Sequence, residues 1–249
     1  MYPFINLGSL KFPTFALTIF LALLLSISAM LLFKRSYMSL RRRLLAFVPW
    51  ILAGAGISGR LLSAVILTVN AKDSFWHNLI YGGCVYYGAV AGGIAAGYLL
   101  CRKHKLDFLS ALDVGMTALP LAQAIGRMGC WLNGCCYGAV YDGVLAVSYI
   151  VEGHAVSVFP TWFFESAVCL IIWLVIYLSP LKRRGAATGI YCVCYGLSRF
   201  ILEFFRGDAV RGVFGALSTS QYISVPIVLF GAALLITAYF NKKENLYIY

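Results

Sequence analysis

An all-α protein of membrane-spanning helices is the fold class this sequence predicts, on three observations. The chain is 61% hydrophobic and 12% charged, where a soluble domain carries about 25% charged residues. Its apolar residues fall into seven long runs, and its basic residues gather in short clusters between alternate runs. Too few polar side chains remain to cover a water-facing surface, so a soluble enzyme is excluded. The net charge of +11 does not indicate nucleic acid either. Its sources sit where cytoplasmic loops retain positive residues and meet an anionic leaflet.

A helix needs about 20 mostly apolar residues to cross the hydrocarbon core. The runs that qualify are 14–33, 44–69, 79–101, 108–126, 161–181, 186–206 and 221–240. The first is preceded by MYPFINLGSLKFPTF, which has neither the basic start nor the cleavage site of a signal peptide. The first run is therefore expected to stay in the mature protein. Lys34, Arg35 and Arg41–Arg43 follow run one, and Arg102, Lys103 and Lys105 follow run three. Lys182–Arg184 follow run five, and Lys242 and Lys243 follow run seven. The alternation predicts an outside N-terminus and a cytoplasmic C-terminus. No soluble domain or repeat interrupts the pattern, so residues 1–249 read as one integral membrane domain.

Runs two and three carry small residues, Gly54, Gly56, Gly59, Gly88, Gly92, Gly93 and Gly97, a spacing that lets helix backbones approach closely. Helix packing is the better reading for most of them, with Gly88, after Tyr86 and Tyr87, a possible exception. Residues 127–160 form the longest outward connection, a loop or small head segment in which LAVSYIV suggests a short strand. It begins within GRMGCWLNGCCYG, residues 126–138, read as an irregular turn at the outer end of run four. A second outward connection reads GDAVRGVFGALSTSQ, rich in turn-formers.

Charges inside a membrane are costly and mark either a function or a structural pair. Arg60, Arg127, Glu165, Arg199 and Glu203 lie in runs or at their outer ends, with Arg206 and Asp208 just beyond run six. In YGLSRFILEFFRGD, Tyr195, Arg199 and Glu203 recur every four residues and share a helix face. Arginines near the outer leaflet suggest an anion, because a guanidinium stays charged when buried and grips phosphate through two hydrogen bonds. A phospholipid head group is the anion available at that depth. The alternative is that Arg199 pairs with Glu203 or Glu165 only to hold helices together.

Of the eight cysteines, Cys130, Cys135 and Cys136 are clustered. C-x4-C-C with no second Cys or His pair nearby is poor zinc spacing, and no metal or cofactor is expected. A disulfide from Cys130 to Cys135 or Cys136 remains open on an oxidising face. His77, His104 and His154 make no cluster.

These motifs together resemble the prolipoprotein diacylglyceryl transferase family over nearly the whole chain. GRMGCWLNGCCYG resembles its Gly-Arg-x-Gly signature, GISGRLL its Gly-Arg segment, and VYYGAVAGG its His-Gly-Gly or Tyr-Gly-Gly segment. FPTWFFES is similar to its His-Pro-Thr-Gln-x-Tyr-Glu segment, and YGLSRFILEFFRGD with LSTSQ to its last motifs. The resemblance implies a multi-pass enzyme of the bacterial cytoplasmic (inner) membrane. It would transfer diacylglyceryl from phosphatidylglycerol to the lipobox cysteine of a prolipoprotein signal peptide, leaving a thioether and glycerol 1-phosphate. It assigns Arg127, Asn133, Gly138, Tyr195, Arg199 and Glu203 to the active site, with Arg60, Glu165 and Arg206 in support. Cys130 and Cys135 stand where the common signature has Asn and Glu. Tyr87 stands where some members have a proposed histidine base, and a tyrosine is a weak base for a thiol. Glu203, Tyr87 or a lipid phosphate oxygen are the remaining bases. Rival readings are a paralogue with another acceptor, an anionic-lipid binder or transporter without chemistry, and a thiol–disulfide protein.

Overall fold

The structure, a computed structural model, describes residues 4–7, 10–32, 38–71, 74–151, 154–179, 183–206, 213–214 and 217–240. Lys34, Arg35, Lys182, Asp208, Lys242 and Lys243 lie outside the described residues. A short hairpin, β1 (Phe4–Leu7) and β2 (Leu10–Pro13), leads into α1 (Thr14–Leu32). Then come α2 (Met38–Ala71), α3 (Phe75–Tyr81), α4 (Tyr86–Lys103), α5 (Phe108–Met116) and α6 (Leu119–Asn133). A second hairpin follows, β3 (Val147–Val151) antiparallel to β4 (His154–Val158), with Val147 opposite Val158. The chain continues through α7 (Thr161–Leu178), α8 (Ala186–Leu202), a 3-10 turn at Glu203–Phe205, the two-residue strands β5 (Val213–Phe214) and β6 (Leu217–Ser218), and α9 (Thr219–Phe240).

The chain divides into two compact units. One holds Met1–Ser36 with Leu112–Ile248, and the other is Tyr37–Ala111. In the second unit α2 packs along α4. The contact is a small-residue seam. A Cβ on Gly88 would lie 2.8 Å from the Ser58 carbonyl and 3.1 Å from the Gly59 Cα, and one on Gly92 would run into Ser58. Gly88 thus has the same packing reason as its neighbours.

Two boundaries in this unit differ from expectation. The second run starts earlier, because Arg41–Arg43 already lie on α2, arginine being a good helix former. The third run is broken between Tyr81 and Tyr86, where Gly82 and Gly83 interrupt the helix. The Val85 N–H there donates to the Gly59 carbonyl at 3.0 Å.

In the first unit α1 packs on α6, α6 on α7, α7 on α8, and α8 on α9. Ile172, Ile176, Ile190 and Tyr191 form the apolar centre between α7 and α8. Large side chains such as Phe20, Leu229 and Phe230 point outward, which suits helices solvated by lipid. Thr14–Leu31, Leu40–Val69, Thr161–Leu178 and Thr219–Phe240 are long and apolar enough to cross a membrane. Helices α5 and α6, bent by 46°, make a fifth if counted as one span. Among the described residues, α4 of the expected third run is long enough but not apolar enough, and α8 of the sixth is too short. Helix α4 ends in Arg102 and Lys103, and α8 spans 17 residues before tightening into the 3-10 turn.

The bend has a local cause. Pro120 has no N–H to donate to the Met116 carbonyl. Thr117 and Ala118 instead close tight turns onto Val114 and Gly115, and the Thr117 carbonyl accepts from the Trp173 Nε1–H of α7 at 3.1 Å.

Candidate active site

In place of the turn predicted at residues 127–138, helix α6 does not stop at Gly126 but runs to Asn133, so Arg127, Cys130 and Asn133 are helical residues. The segment Arg-Met-Gly-Cys-Trp-Leu is compatible with a helix, and the Arg127 charge is matched across the bundle, so nothing there forces an end. The reversal comes one turn later. Gly134 adopts φ 85°, the left-handed cap conformation that glycine takes without penalty. Its N–H and that of Cys135 both return to the Cys130 carbonyl.

Arg127 on α6 meets Glu165 on α7. Its Nε lies 2.6 Å from one carboxylate oxygen. The other oxygen accepts from Arg199 Nη1 of α8 at 2.6 Å and from Arg206 Nη1 at 2.9 Å. Arg199 turns its Nη2 to Glu203, one helical turn on, at 2.8 Å, and to the Ser220 hydroxyl of α9 at 3.3 Å. Glu165 is therefore the hub of three arginines. It is 6% exposed, Arg206 2%, Arg199 14% and Arg127 24%. Among the described residues, three guanidiniums face two carboxylates in this cluster, in a largely desolvated place. Guanidiniums held together in such a place can grip an anion through paired hydrogen bonds.

Three supports hold the geometry. Asp113 of α5, 5% exposed, accepts from the N–H groups of Gly185 and Thr188 and from the Thr188 hydroxyl at 2.5–2.9 Å. It caps the N-terminus of α8 from another helix, satisfying N–H groups that a helix start leaves open. The Ser166 hydroxyl ties α7 to the Ala124 carbonyl of α6, and Tyr191 donates to Gln123. Gly138 N–H donates to the Phe159 carbonyl, and Ala139 N–H to that of Phe205. A Cβ on Gly138 would run into the Phe159 carbonyl and lie 2.8 Å from that of Phe205. The glycine is thus required where the cysteine turn passes between the entry to α7 and the end of the 3-10 turn.

Of the residues singled out in the sequence, Arg127, Glu165, Arg199, Glu203 and Arg206 come together. Tyr195, half-buried on the same face of α8, stacks on Tyr191 at 5.2 Å. Asn133 is exposed at the end of α6. Arg60 and Tyr87 belong to the other unit. There Arg60 donates to the carbonyls of Leu79 and Ile80 at 3.3 and 2.9 Å, closing the end of α3, and Tyr87 is exposed on α4.

Three residues escaped sequence reasoning. Asp113 was signalled by being an acidic residue inside an apolar run. Ser220 lies in LSTSQ. Thr161 of FPTWFFES is fully buried, and its hydroxyl donates to the Cys136 carbonyl at 2.9 Å.

The three clustered cysteines also come together, with sulfur atoms all within 4.8 Å of one another. Hydrogen bonds from Cys130 and Cys135 hold the Cys136 thiol below its ordinary range, aided by the charges of Arg127 and Arg206 and opposed by burial.

The sequence pattern of the prolipoprotein diacylglyceryl transferase family matches residues 3–237. A phosphatidylglycerol–prolipoprotein diacylglyceryl transferase of Clostridium tetani is 34% identical over 196 residues, 76% of this chain and 78% of its own. A second, from Clostridium perfringens and numbered 2 in its name, is 40% identical over 190 residues, 73% of each chain. One from Finegoldia magna is 35% identical over 158 residues, 62% of this chain and 61% of its own.

Proposed function

This chain belongs to the prolipoprotein diacylglyceryl transferase family, and from that premise we propose that it moves the diacylglyceryl group of phosphatidylglycerol onto the lipobox cysteine of a prolipoprotein signal peptide. A thioether forms and glycerol 1-phosphate leaves. The observation that carries this reading is the convergence of Arg127, Arg199 and Arg206 on Glu165. The phosphodiester of the donor carries one negative charge, which these guanidiniums are suited to hold. When the carbon–oxygen bond breaks, the departing phosphate gains a second charge. Fixed guanidiniums aimed at that charge stabilise the transition state more than the ground state.

Arg127 is the most accessible of the three arginines and is our choice for first contact with the phosphate. Arg199, held by Glu165, Glu203 and Ser220, is pre-organised to take the developing charge. Arg206, nearly buried, sets the field behind them. Tyr195, Asn133 and Gly138 line or shape the approach. The protein sits in the bacterial cytoplasmic membrane as one domain with seven spans, N-terminus outside and C-terminus in the cytoplasm. The alternating basic clusters support that orientation, and reporter fusions at each connection test it.

The test of the activity is direct. Purified protein is mixed with phosphatidylglycerol and a lipobox peptide, and peptide mass and free glycerol phosphate are followed. A diacylglyceryl mass gain with matching phosphate release is expected, and Arg127→Ala should abolish both while the protein still inserts. Full activity of that variant removes Arg127 from the site. Lipid retention without phosphate release by folded wild-type protein points instead to a lipid binder.

A further inference from the structure

We propose that Cys130, Cys135 and Cys136 form a three-thiolate site for zinc, with its fourth position open to the acceptor thiol. The proposal rests on the transferase reading above and deepens it.

The geometry comes from the backbone. C-x4-C-C is poor zinc spacing along an extended chain, but this chain is not extended there. Cys130 lies on the last turn of α6, and the left-handed Gly134 turns the chain back over it. Cys136 is itself held at φ 60°, a conformation that non-glycine residues seldom adopt. Both ends of the turn are pinned. The Cys135 N–H donates to the Cys130 carbonyl at 3.0 Å, the Cys136 carbonyl accepts from Thr161, and Gly138 is tied to Phe159. The result is three sulfurs within 4.8 Å of one another. Tetrahedral zinc with bonds of about 2.3 Å places its sulfurs about 3.8 Å apart. Each pair therefore closes by no more than about 1 Å, which rotation about the Cα–Cβ bonds supplies.

The donor set selects the metal. Three thiolates favour zinc or cuprous copper and disfavour the hard cations magnesium and calcium. A zinc site with three protein ligands keeps a coordination place for substrate, whereas structural sites use four. No other Cys, His, Asp or Glu among the described residues joins this cluster as a fourth ligand.

The chemistry addresses the missing base. The sequence leaves the base open among Glu203, Tyr87 and a lipid phosphate oxygen. A metal-bound thiol is deprotonated outright, so such a site needs no basic side chain. The acceptor thiol binds as thiolate and releases one proton to solvent. Its sulfur lone pair attacks the glyceryl carbon that bears the phosphate. The carbon–sulfur bond forms as the carbon–oxygen bond breaks, and the electron pair leaves on the oxygen of glycerol phosphate. The product thioether is a neutral, weaker ligand and departs. No atom changes oxidation state through an outside reagent.

The test uses the full protein, purified in detergent under reducing conditions, stripped with chelator and titrated with cobalt(II). One equivalent should bind with intense thiolate-to-cobalt absorption, and one equivalent of zinc should abolish that absorption. A lipobox peptide should shift the visible cobalt bands, whereas its Cys→Ser counterpart should not. Cys136→Ser should weaken cobalt binding at least tenfold, with thermal unfolding used to confirm that the variant folds.

Folded wild-type protein that gives no thiolate-to-cobalt absorption overturns the proposal. So does a disulfide among the three cysteines that persists in protein isolated without reductant and active in transfer. Cobalt binding without a peptide-dependent shift overturns the open fourth position. Full transfer by metal-free protein defeats the zinc site and leaves the transferase reading standing. Stoichiometric metal with a peptide shift but no transfer from phosphatidylglycerol defeats the transferase reading instead.

Discussion

Glu165 and Arg199 lie 34 positions apart in the chain and meet at 2.6 Å, carboxylate oxygen to guanidinium Nη1. The contact joins α7 to α8, and the same carboxylate reaches Arg127 on α6 and Arg206 beyond α8. One buried acid thereby fixes the relative positions of three arginines.

Glu165→Gln should destabilise the protein by about 3–5 kcal/mol, the usual cost of stranding a buried charge by removing its partner. Here the stranded charges are guanidiniums. Thermal unfolding in detergent measures the loss, and Glu165→Asp should fall between the variant and wild type. An unchanged unfolding temperature in Glu165→Gln would show that the arginines are held by other means.

Arg199→Lys should retain charge yet lose function. A lysine ammonium is a point charge without the planar fork that lets Arg199 hold Glu165 and Glu203 at once. Transfer should fall about 10²–10³-fold, as for loss of one donor to a developing oxyanion. Single-turnover release of glycerol phosphate is the measurement. Near-normal turnover would reduce Arg199 to a structural pair.

Asp113→Asn should act on stability with little specific effect on the reaction. Asp113 accepts three hydrogen bonds at the start of α8, and weakening them should cost about 1–3 kcal/mol. Activity per folded molecule should stay close to wild type. A selective fall in turnover at unchanged unfolding temperature would instead tie the α8 cap to the chemistry.

Two glycines of one motif should part company. Gly138→Ala forces a methyl group against the carbonyls of Phe159 and Phe205 and should cost about 1–3 kcal/mol through overpacking. Gly126→Ala meets nothing within 4 Å and should fold as well as wild type, with a gain of up to about 1 kcal/mol from helix propensity. Comparing their unfolding temperatures tests this directly. If Gly126→Ala folds normally but loses transfer, lipid packs against that face of α6.

Sequence alone determined the class of solvent and the faces of helices. A chain so apolar, with basic clusters at alternate connections, has few structures open to it, because lipid offers backbone groups no partners. The four-residue spacing of Tyr195, Arg199 and Glu203 put them on one side of α8, and the Arg199–Glu203 pair bears that out. LAVSYIV contains strand β3. Periodicity is a local property, so it was readable.

Tertiary structure decided what each face meets. That Glu165 gathers Arg127, Arg199 and Arg206 depends on how α6, α7 and α8 pack, which no single-helix pattern contains. That α6 runs past Gly126 to the left-handed Gly134 brings Arg127 to Glu165 across the bundle. That Cys130, Cys135 and Cys136 converge depends on two left-handed residues, Gly134 and Cys136, one of them a type that rarely adopts that conformation. Spacing along a chain measures distance only when the backbone path is known, and here the path reverses between the first cysteine and the other two.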